Sequence, residues 1–438
     1  MKFSQFNTVL KITNRFALYN SLEQKVIFLD EQLKDILEVA LQEDILQLNT
    51  YHPDFYSYLY ENNFLVTKDV NEIEKIQILS KEIDENHSDF LLTVNPTMNC
   101  NFKCWYCYET HIKDSRMESS VLESTKLFIE KQLASDKINN FYLSFFGGEP
   151  LLYFNKNVTP LVDTLKKYSI IHNKAFEVSF TTNGFLINDD FINYFIENDI
   201  KPSFQITLDG YKEEHNKVRF VNKQKGSYDK IIENITHLLM KGEFNVILRV
   251  NYTDINLINA FKIIDDLVGL SDEIKQNKLI IDFHRVWQNI QLDDLDILLT
   301  ENIKIIESKG FKCHSTYSSN NVLNSCYADK RNSATINYNG DLFKCTARDF
   351  LPKNRSGYLN EEGDLIWDDG YIEQRMNSKF KNKPCLKCKI LPLCNGGCSQ
   401  HAMENKEEDY CIYHGDENEK NKVVIANIND ILKSNNEI

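Results

Sequence analysis

The chain has 438 residues, enough for two or three domains and an ample core. Hydrophobic residues make up 42% and charged residues 26%, the balance of a globular protein, and no run reaches membrane-spanning length, so no membrane partner is expected. A formal net charge of −14 without a basic block argues against a nucleic-acid partner and would steer a basic peptide favourably. The opening MKFSQFNTVLKITNRF has no apolar stretch of signal-peptide length and no small-residue cleavage site, so a cytoplasmic location is expected. There the eleven cysteines should be reduced, and their clustering reads as metal binding or catalysis rather than disulfides.

In chain order, residues 1–90 hold no cysteine. Alternation predicts short antiparallel strands at Thr8–Ile12, Phe16–Leu22 and Lys25–Leu29, then an Asp30 N-cap for a helix over Glu31–Gln42. Helices are expected at Pro53–Glu61 and Asn71–Glu85, with a strand at Phe64–Thr67 between them. This suits a small winged-helix-like α+β module that grips a peptide, or a packing extension of the main domain. From 91 to 310 apolar strand segments alternate with helical patterns. The strands are Leu91–Pro96, Phe141–Phe146, Phe176–Thr181, Phe204–Leu208, Val246–Asn251 and Leu279–Val286. The helices are Glu118–Leu133, Val158–Tyr168, Asp189–Asn198, Tyr228–Met240 and Ile255–Leu267. Such alternation predicts an α/β fold with a parallel partial barrel, its active residues at the strands' C-terminal ends. Residues 311–438 hold eight of the eleven cysteines and little apolar periodicity, so this region needs metal to fold; a helix over Lys420–Leu432 and a frayed polar end close it.

Cys100, Cys104 and Cys107 are spaced C-x3-C-x2-C, with Tyr106 before the last. Soft thiolates select an iron–sulfur cluster or zinc, and a zinc site would call on His111 as its fourth ligand. Three thiolates leave the fourth iron of a [4Fe–4S] cluster open to a ligand. Gly147-Gly148-Glu149-Pro150 follows the second strand, where two glycines admit a bulky ligand to the backbone and a carboxylate can bind an ammonium group. Further on come Thr182-Asn183-Gly184, then Thr207-Leu208-Asp209-Gly210, His215 and Arg219, each at a strand end. Taken alone, GGEP and Asp209-Gly210 are turns and Arg219 is a solvated helix residue.

In this order the motifs resemble those of the radical S-adenosylmethionine (radical SAM) enzymes. The resemblance implies a partial (β/α)6 radical SAM barrel. It also implies a cluster on Cys100, Cys104 and Cys107 whose open iron chelates S-adenosylmethionine and cleaves it reductively to a 5′-deoxyadenosyl radical. By motif, Gly147, Gly148 and Glu149 would hold the cofactor's amino group, Thr207 and Arg219 would contact it, and Tyr106 would pack on the adenine side. Asn183 and Asp209 join the same set, Asn251 is a weaker lining candidate, and Val286 either touches adenine or packs in the core.

Beyond the barrel, Cys326 precedes Gly340-x4-Cys345, and Cys385-x2-Cys388-x5-Cys394-x3-Cys398 precedes Cys411. This resembles the SPASM extension with two auxiliary iron–sulfur clusters. The resemblance implies Cys385, Cys388, Cys394 and Cys411 around one cluster and Cys326, Cys345 and Cys398 around the other, three [4Fe–4S] clusters in all. Sulfatase maturases carry an aspartate base after the G-x4-C cysteine. Here that position is Thr346, which takes no proton at neutral pH. They also have an eighth cysteine, absent between Cys326 and Cys345; Cys313, beside His314, is either a fourth ligand or a buried structural thiol.

The expected organisation is a peptide-recognition module at 1–90, the barrel at 91–310 and the cysteine-rich domain at 311–438. The expected function is maturation of a ribosomal precursor peptide through a thioether or carbon–carbon crosslink, with flavodoxin or ferredoxin as electron donor. A sulfatase-type maturase, a SPASM enzyme on a small molecule and a non-catalytic, metal-stabilised peptide-binding partner are the alternatives.

Overall fold

The computed structural model describes residues 1–438 except 13, 223–224, 289–294, 316–320, 406–408 and 435–438; most of the polar end expected to fray is outside the described residues. The chain divides into two compact units, residues 1–86 with 317–331 and 372–438, and residues 87–316 with 332–371. That division differs from boundaries at 90 and 310. Its cause is visible in the pairing. Short strands after residue 310 hydrogen-bond into the barrel's own sheet, while apolar residues between 388 and 432 cover the N-terminal strands.

In the first unit, strands Asn7–Ile12, Arg15–Asn20 and Lys25–Leu29 form an antiparallel sheet in chain order. Asp30 caps the helix Glu31–Gln42 by accepting from the Leu33 amide at 2.7 Å, and Asn71 caps Glu72–Asp84 in the same way. Alternation along the middle strand buries Leu18 on one face, against Leu37, Leu48 and Phe64. It buries Ala17 and Tyr19 on the other, against Ile390, Leu393, Val423 and Ile428. Val423 and Ile428 belong to the C-terminal helix Glu417–Ser434. Both faces of this small sheet are therefore core.

The second unit is built on an eleven-stranded sheet. All six expected strands are present, as Asp89–Asn95, Asn140–Phe145, Ala175–Thr182, Ser203–Leu208, Asn245–Tyr252 and Leu279–Arg285, paired parallel in chain order. Lys312–Ser315 extends one edge and Ser333–Asn337 the other, both parallel. Antiparallel strands Asp341–Phe343, Gly357–Leu359 and Leu365–Trp367 follow the latter. Phe90, Leu92, Val94, Phe141, Leu143, Phe180 and Phe204 pack beneath the helices Ser119–Leu133, Thr159–His172, Asp189–Glu197 and Tyr228–Lys241. The expected helix over Ile255–Leu267 is a 3-10 helix, Leu257–Leu267. The opposite, inner face carries Ser144, Ser179, Gln205, Thr207, Arg249 and Asp282, a polar wall at the strands' C-terminal halves. This polarity is what a partial barrel needs if a charged ligand is to lie inside it.

Candidate active site

The loop after the first barrel strand carries Cys100, Cys104 and Cys107. It is shaped by its own hydrogen bonds, with the Ser115 hydroxyl accepting from the Met98 amide at 2.9 Å and the Thr97 hydroxyl from the Asn99 amide at 2.8 Å. Gly147-Gly148 presses against it. The Gly148 amide donates to Thr97 O at 3.0 Å and the Glu149 amide to Asn99 O at 2.9 Å. A Cβ on Gly148 would stand 2.2 Å from Asn99 O, and one on Gly147, at φ +96°, 2.6 Å from Thr97 O. Only glycine permits this approach.

The three cysteines line one cavity of about 190 Å³ together with Tyr106, Gly147, Gly148, Asn183, Thr207, Arg219, Asn251 and Val286. Glu149 and Asp209 stand behind that wall. The Glu149 carboxylate is fully buried and already held by the chain, accepting from Leu151 N at 3.1 Å, Thr182 Oγ1 at 2.7 Å and Asn183 N at 2.9 Å. It braces two strand ends, so at this point the cavity wall offers Gly147 and Gly148 rather than the carboxylate. Burial raises its pKa against those three hydrogen bonds.

Asp209 is equally committed: it accepts from the Tyr106 hydroxyl and from Arg219 Nε. The Tyr106 oxygen in turn accepts from Arg219 Nη2 and Asn251 Nδ2, each at 2.9 Å. Burial raises the Tyr106 pKa, so a neutral phenol donates to Asp209. Arg219 reaches the wall with part of its guanidinium pinned from behind. His215 is not on the wall. Its Nδ1 accepts from the Asp209 amide at 3.2 Å, and Ser227 Oγ, which donates to Arg219 O at 2.8 Å, sits 2.9 Å from its Nε2. That leaves Nε2 as the donor, a neutral tautomer, and burial holds the pKa well below 6.5.

The donor set fits a four-iron cluster. Burial, and next the Glu149 carboxylate, pushes the Cys100 thiol up to about 12; burial and then Glu109 push Cys107 up to about 11. Bare thiols are then protonated at neutral pH and need metal charge to become thiolates. Among the described residues, the one group gathered to single-ion distance is Cys107, Glu109 and His111, within 4.8 Å of one another. Cys100 and Cys104 stand outside it, as they would if each thiolate held a different iron. Zinc on the whole triad is thereby disfavoured.

In the first unit Cys385, Cys388, Cys394 and Cys411 surround one small pocket, and burial pushes Cys394 up to about 12. Four convergent thiols again fit an iron–sulfur cluster. Cys326 and Cys398 lie in the first unit and Cys345 in the second. Cys313 is buried in the barrel's apolar core, which gives it a packing role instead of that of a ligand. The Thr346 carbonyl accepts from the Tyr108 hydroxyl at 2.7 Å.

Three residues of the inner wall had escaped motif reasoning. Arg249 lines the cavity, and its Nε donates to Asn251 Oδ1 at 2.9 Å. His284 lies opposite Asn251 in the register, and its Nε2 is 2.6 Å from Asp282 Oδ2. The contact with Asp282 orients the imidazole through Nε2. Alternation along Asn245–Tyr252 and Leu279–Arg285 would have placed them on one face.

Residues 94–257 match the radical SAM superfamily family model. Curated relatives include the cysteine-type anaerobic sulfatase-maturating enzymes of Clostridium novyi, 27% identical over 70% of this chain and 87% of the relative, and of Clostridium perfringens, 24% identical over 73% and 90%. Among solved structures, anSMEcpe with bound AdoMet superposes with a TM-score of 0.54 at 20% identity, covering 73% of this chain and 91% of its own. Streptococcus suis SuiB bound to S-adenosylmethionine gives 0.52 at 18% identity, covering 93% and 98%. The structure of SuiB bound to its precursor peptide SuiA matches equally well, at 0.53. With the cysteine loop, the Gly-Gly turn and the polar inner wall gathered at one mouth of the barrel, residues 94–257 form a radical SAM domain, and a cysteine-rich region follows it.

Proposed function

We propose that this enzyme modifies a ribosomally made precursor peptide, forming a thioether or carbon–carbon crosslink. Cys100, Cys104 and Cys107 would hold the [4Fe–4S] cluster that binds S-adenosylmethionine; bound together, these groups supply a 5′-deoxyadenosyl radical. Gly147 and Gly148 would admit the methionine end to the backbone, Asn183, Thr207 and Arg219 would contact the cofactor, and the pinned Tyr106 would form its adenine side. Glu149 and Asp209 would act through these neighbours. His284, oriented by Asp282, is the inner-wall group fit to take a substrate proton. Cys385, Cys388, Cys394 and Cys411 would hold an auxiliary cluster, with flavodoxin or ferredoxin supplying electrons.

The observation that carries the peptide reading is the extent of likeness. SuiB structures cover 93–94% of the chain, against 73–80% for anSMEcpe. The test is whether a neighbouring gene encodes a short peptide with repeated Cys or aromatic residues, and whether the reconstituted enzyme changes the mass of that peptide. Each crosslink removes two hydrogens, and an unmodified peptide under conditions that yield 5′-deoxyadenosine would refute this substrate class. A sulfatase-type substrate is the second reading, favoured by the Clostridium relatives. Thr346 weighs against it, and no formylglycine should form on a sulfatase-type Cys peptide; its appearance by mass spectrometry would reverse the preference.

A further inference from the structure

The pocket of Cys385, Cys388, Cys394 and Cys411 has two neighbours that no motif singles out. Asn382, mostly buried, donates from Nδ2 to Cys385 Sγ at 3.1 Å. The same amide group clamps the residue before Cys411. Its Nδ2 donates to Tyr410 O, and its Oδ1 accepts from Tyr410 N at 3.3 Å. One side chain thus fixes a ligand sulfur and the backbone leading to another ligand, from opposite ends of the cysteine motif.

Lys420, on the C-terminal helix, lines the pocket itself. Its ammonium pairs with Glu417 at 2.7 Å, but Glu417 is shared with Lys389, 2.9 Å away and next in sequence to Cys388. Two cations against one carboxylate leave a positive surplus beside the thiols. Hydrogen bonds to cluster sulfur and nearby positive charge both stabilise the reduced, more negative form of an iron–sulfur cluster.

Resting on the reading that these four cysteines hold a cluster, we propose that Asn382 positions that cluster's ligands and that Asn382 and Lys420 together raise its reduction potential. Neither touches the S-adenosylmethionine cavity. The interaction sets how readily this centre accepts one electron, and no bond is made or broken.

The test is an EPR-monitored redox titration of the iron- and sulfide-reconstituted full chain, following the signal that Cys394→Ala abolishes. Lys420→Met and Asn382→Leu should each lower the midpoint by roughly a ten-fold change in the reduction equilibrium, ~59 mV for one electron. Lys420→Arg should stay near wild type, and 5′-deoxyadenosine formation without substrate should be unchanged in all three. Loss of about four irons from Asn382→Leu alone, with the other clusters kept, equally supports the clamp. Wild-type midpoints in Lys420→Met and Asn382→Leu at full iron content would overturn the proposal. So would a Lys420→Arg midpoint shifted as far as that of Lys420→Met, or iron lost from every cluster in Asn382→Leu. A wild-type chain with no signal that Cys394→Ala removes would instead sink the cluster reading beneath it.

Discussion

At the scale of single residues, the chemistry-bearing side chains divide into those on the cavity wall and those that hold the wall. Chain spacing announced the cysteines, because C-x3-C-x2-C is local. It could not tell that Glu149 points inward, since that depends on Thr182 and Asn183 meeting its oxygens from the next strand. Glu149→Ala should leave those donors and the Leu151 amide unpaired, each costing about 1–3 kcal/mol of stability. S-adenosylmethionine affinity should fall about ten-fold through the displaced loop. Chemical denaturation and calorimetric titration read both; a variant of wild-type stability with abolished binding would restore direct contact. His215 gives a pH test. Its folded pKa is depressed, so its contribution is present above about 6.5, the unfolded value, and is lost as pH falls towards the lowered folded value. Unfolding free energy should drop between pH 7 and pH 5, and His215→Gln should flatten part of that drop. Equal slopes for the two proteins would show that other groups dominate.

At the scale of elements, long periodic segments were legible and short or polar ones were not. The helices Glu31–Gln42 and Pro53–Glu61 have the bounds their caps and apolar spacing indicate. Ser333–Asn337 escaped notice because all five residues of SATIN are buried, although three of them are polar. Lys312–Ser315 is too short to show a period. These two strands, rather than any boundary near 310, decide where the sheet's parallel part ends. The middle strand Arg15–Asn20 has partners on both sides, so a peptide strand can add only at Asn7–Ile12 or Lys25–Leu29. Because Ala17 and Tyr19 pack on the C-terminal helix, deleting residues 1–86 should uncover Val423 and Ile428. The truncated chain should aggregate or lose its auxiliary irons, as followed by size-exclusion chromatography and iron assay. A soluble truncation with full iron that fails only on its peptide would show a pure recognition module. Gly148→Ala should part the Gly-Gly turn from the cysteine loop, as its Cβ would meet backbone on the far side. About four irons and all cofactor cleavage should go with it; full iron and normal cleavage would mean the loop can yield.

At the scale of the whole molecule, two units each gather thiols around a pocket, Cys100, Cys104 and Cys107 in one and Cys385, Cys388, Cys394 and Cys411 in the other. Among the described residues, no helix is long and apolar enough to cross a membrane. The radical SAM resemblance was readable because its cysteine motif has a fixed local spacing; the compact units were not, because they interleave distant stretches of chain. Anaerobic reconstitution should give about twelve irons per chain, and replacing Cys100, Cys104 and Cys107 by Ala should remove about four of them.

The most direct test of the central claim is 5′-deoxyadenosine formation. Reconstituted protein is mixed with S-adenosylmethionine and dithionite, and the nucleoside is quantified by chromatography beside the Cys100, Cys104 and Cys107 triple-Ala variant. The expected result is steady formation by the wild type and none by the variant, with the auxiliary irons of the variant still in place. Stoichiometric zinc in the wild type, and no 5′-deoxyadenosine above the variant's background, would contradict the account.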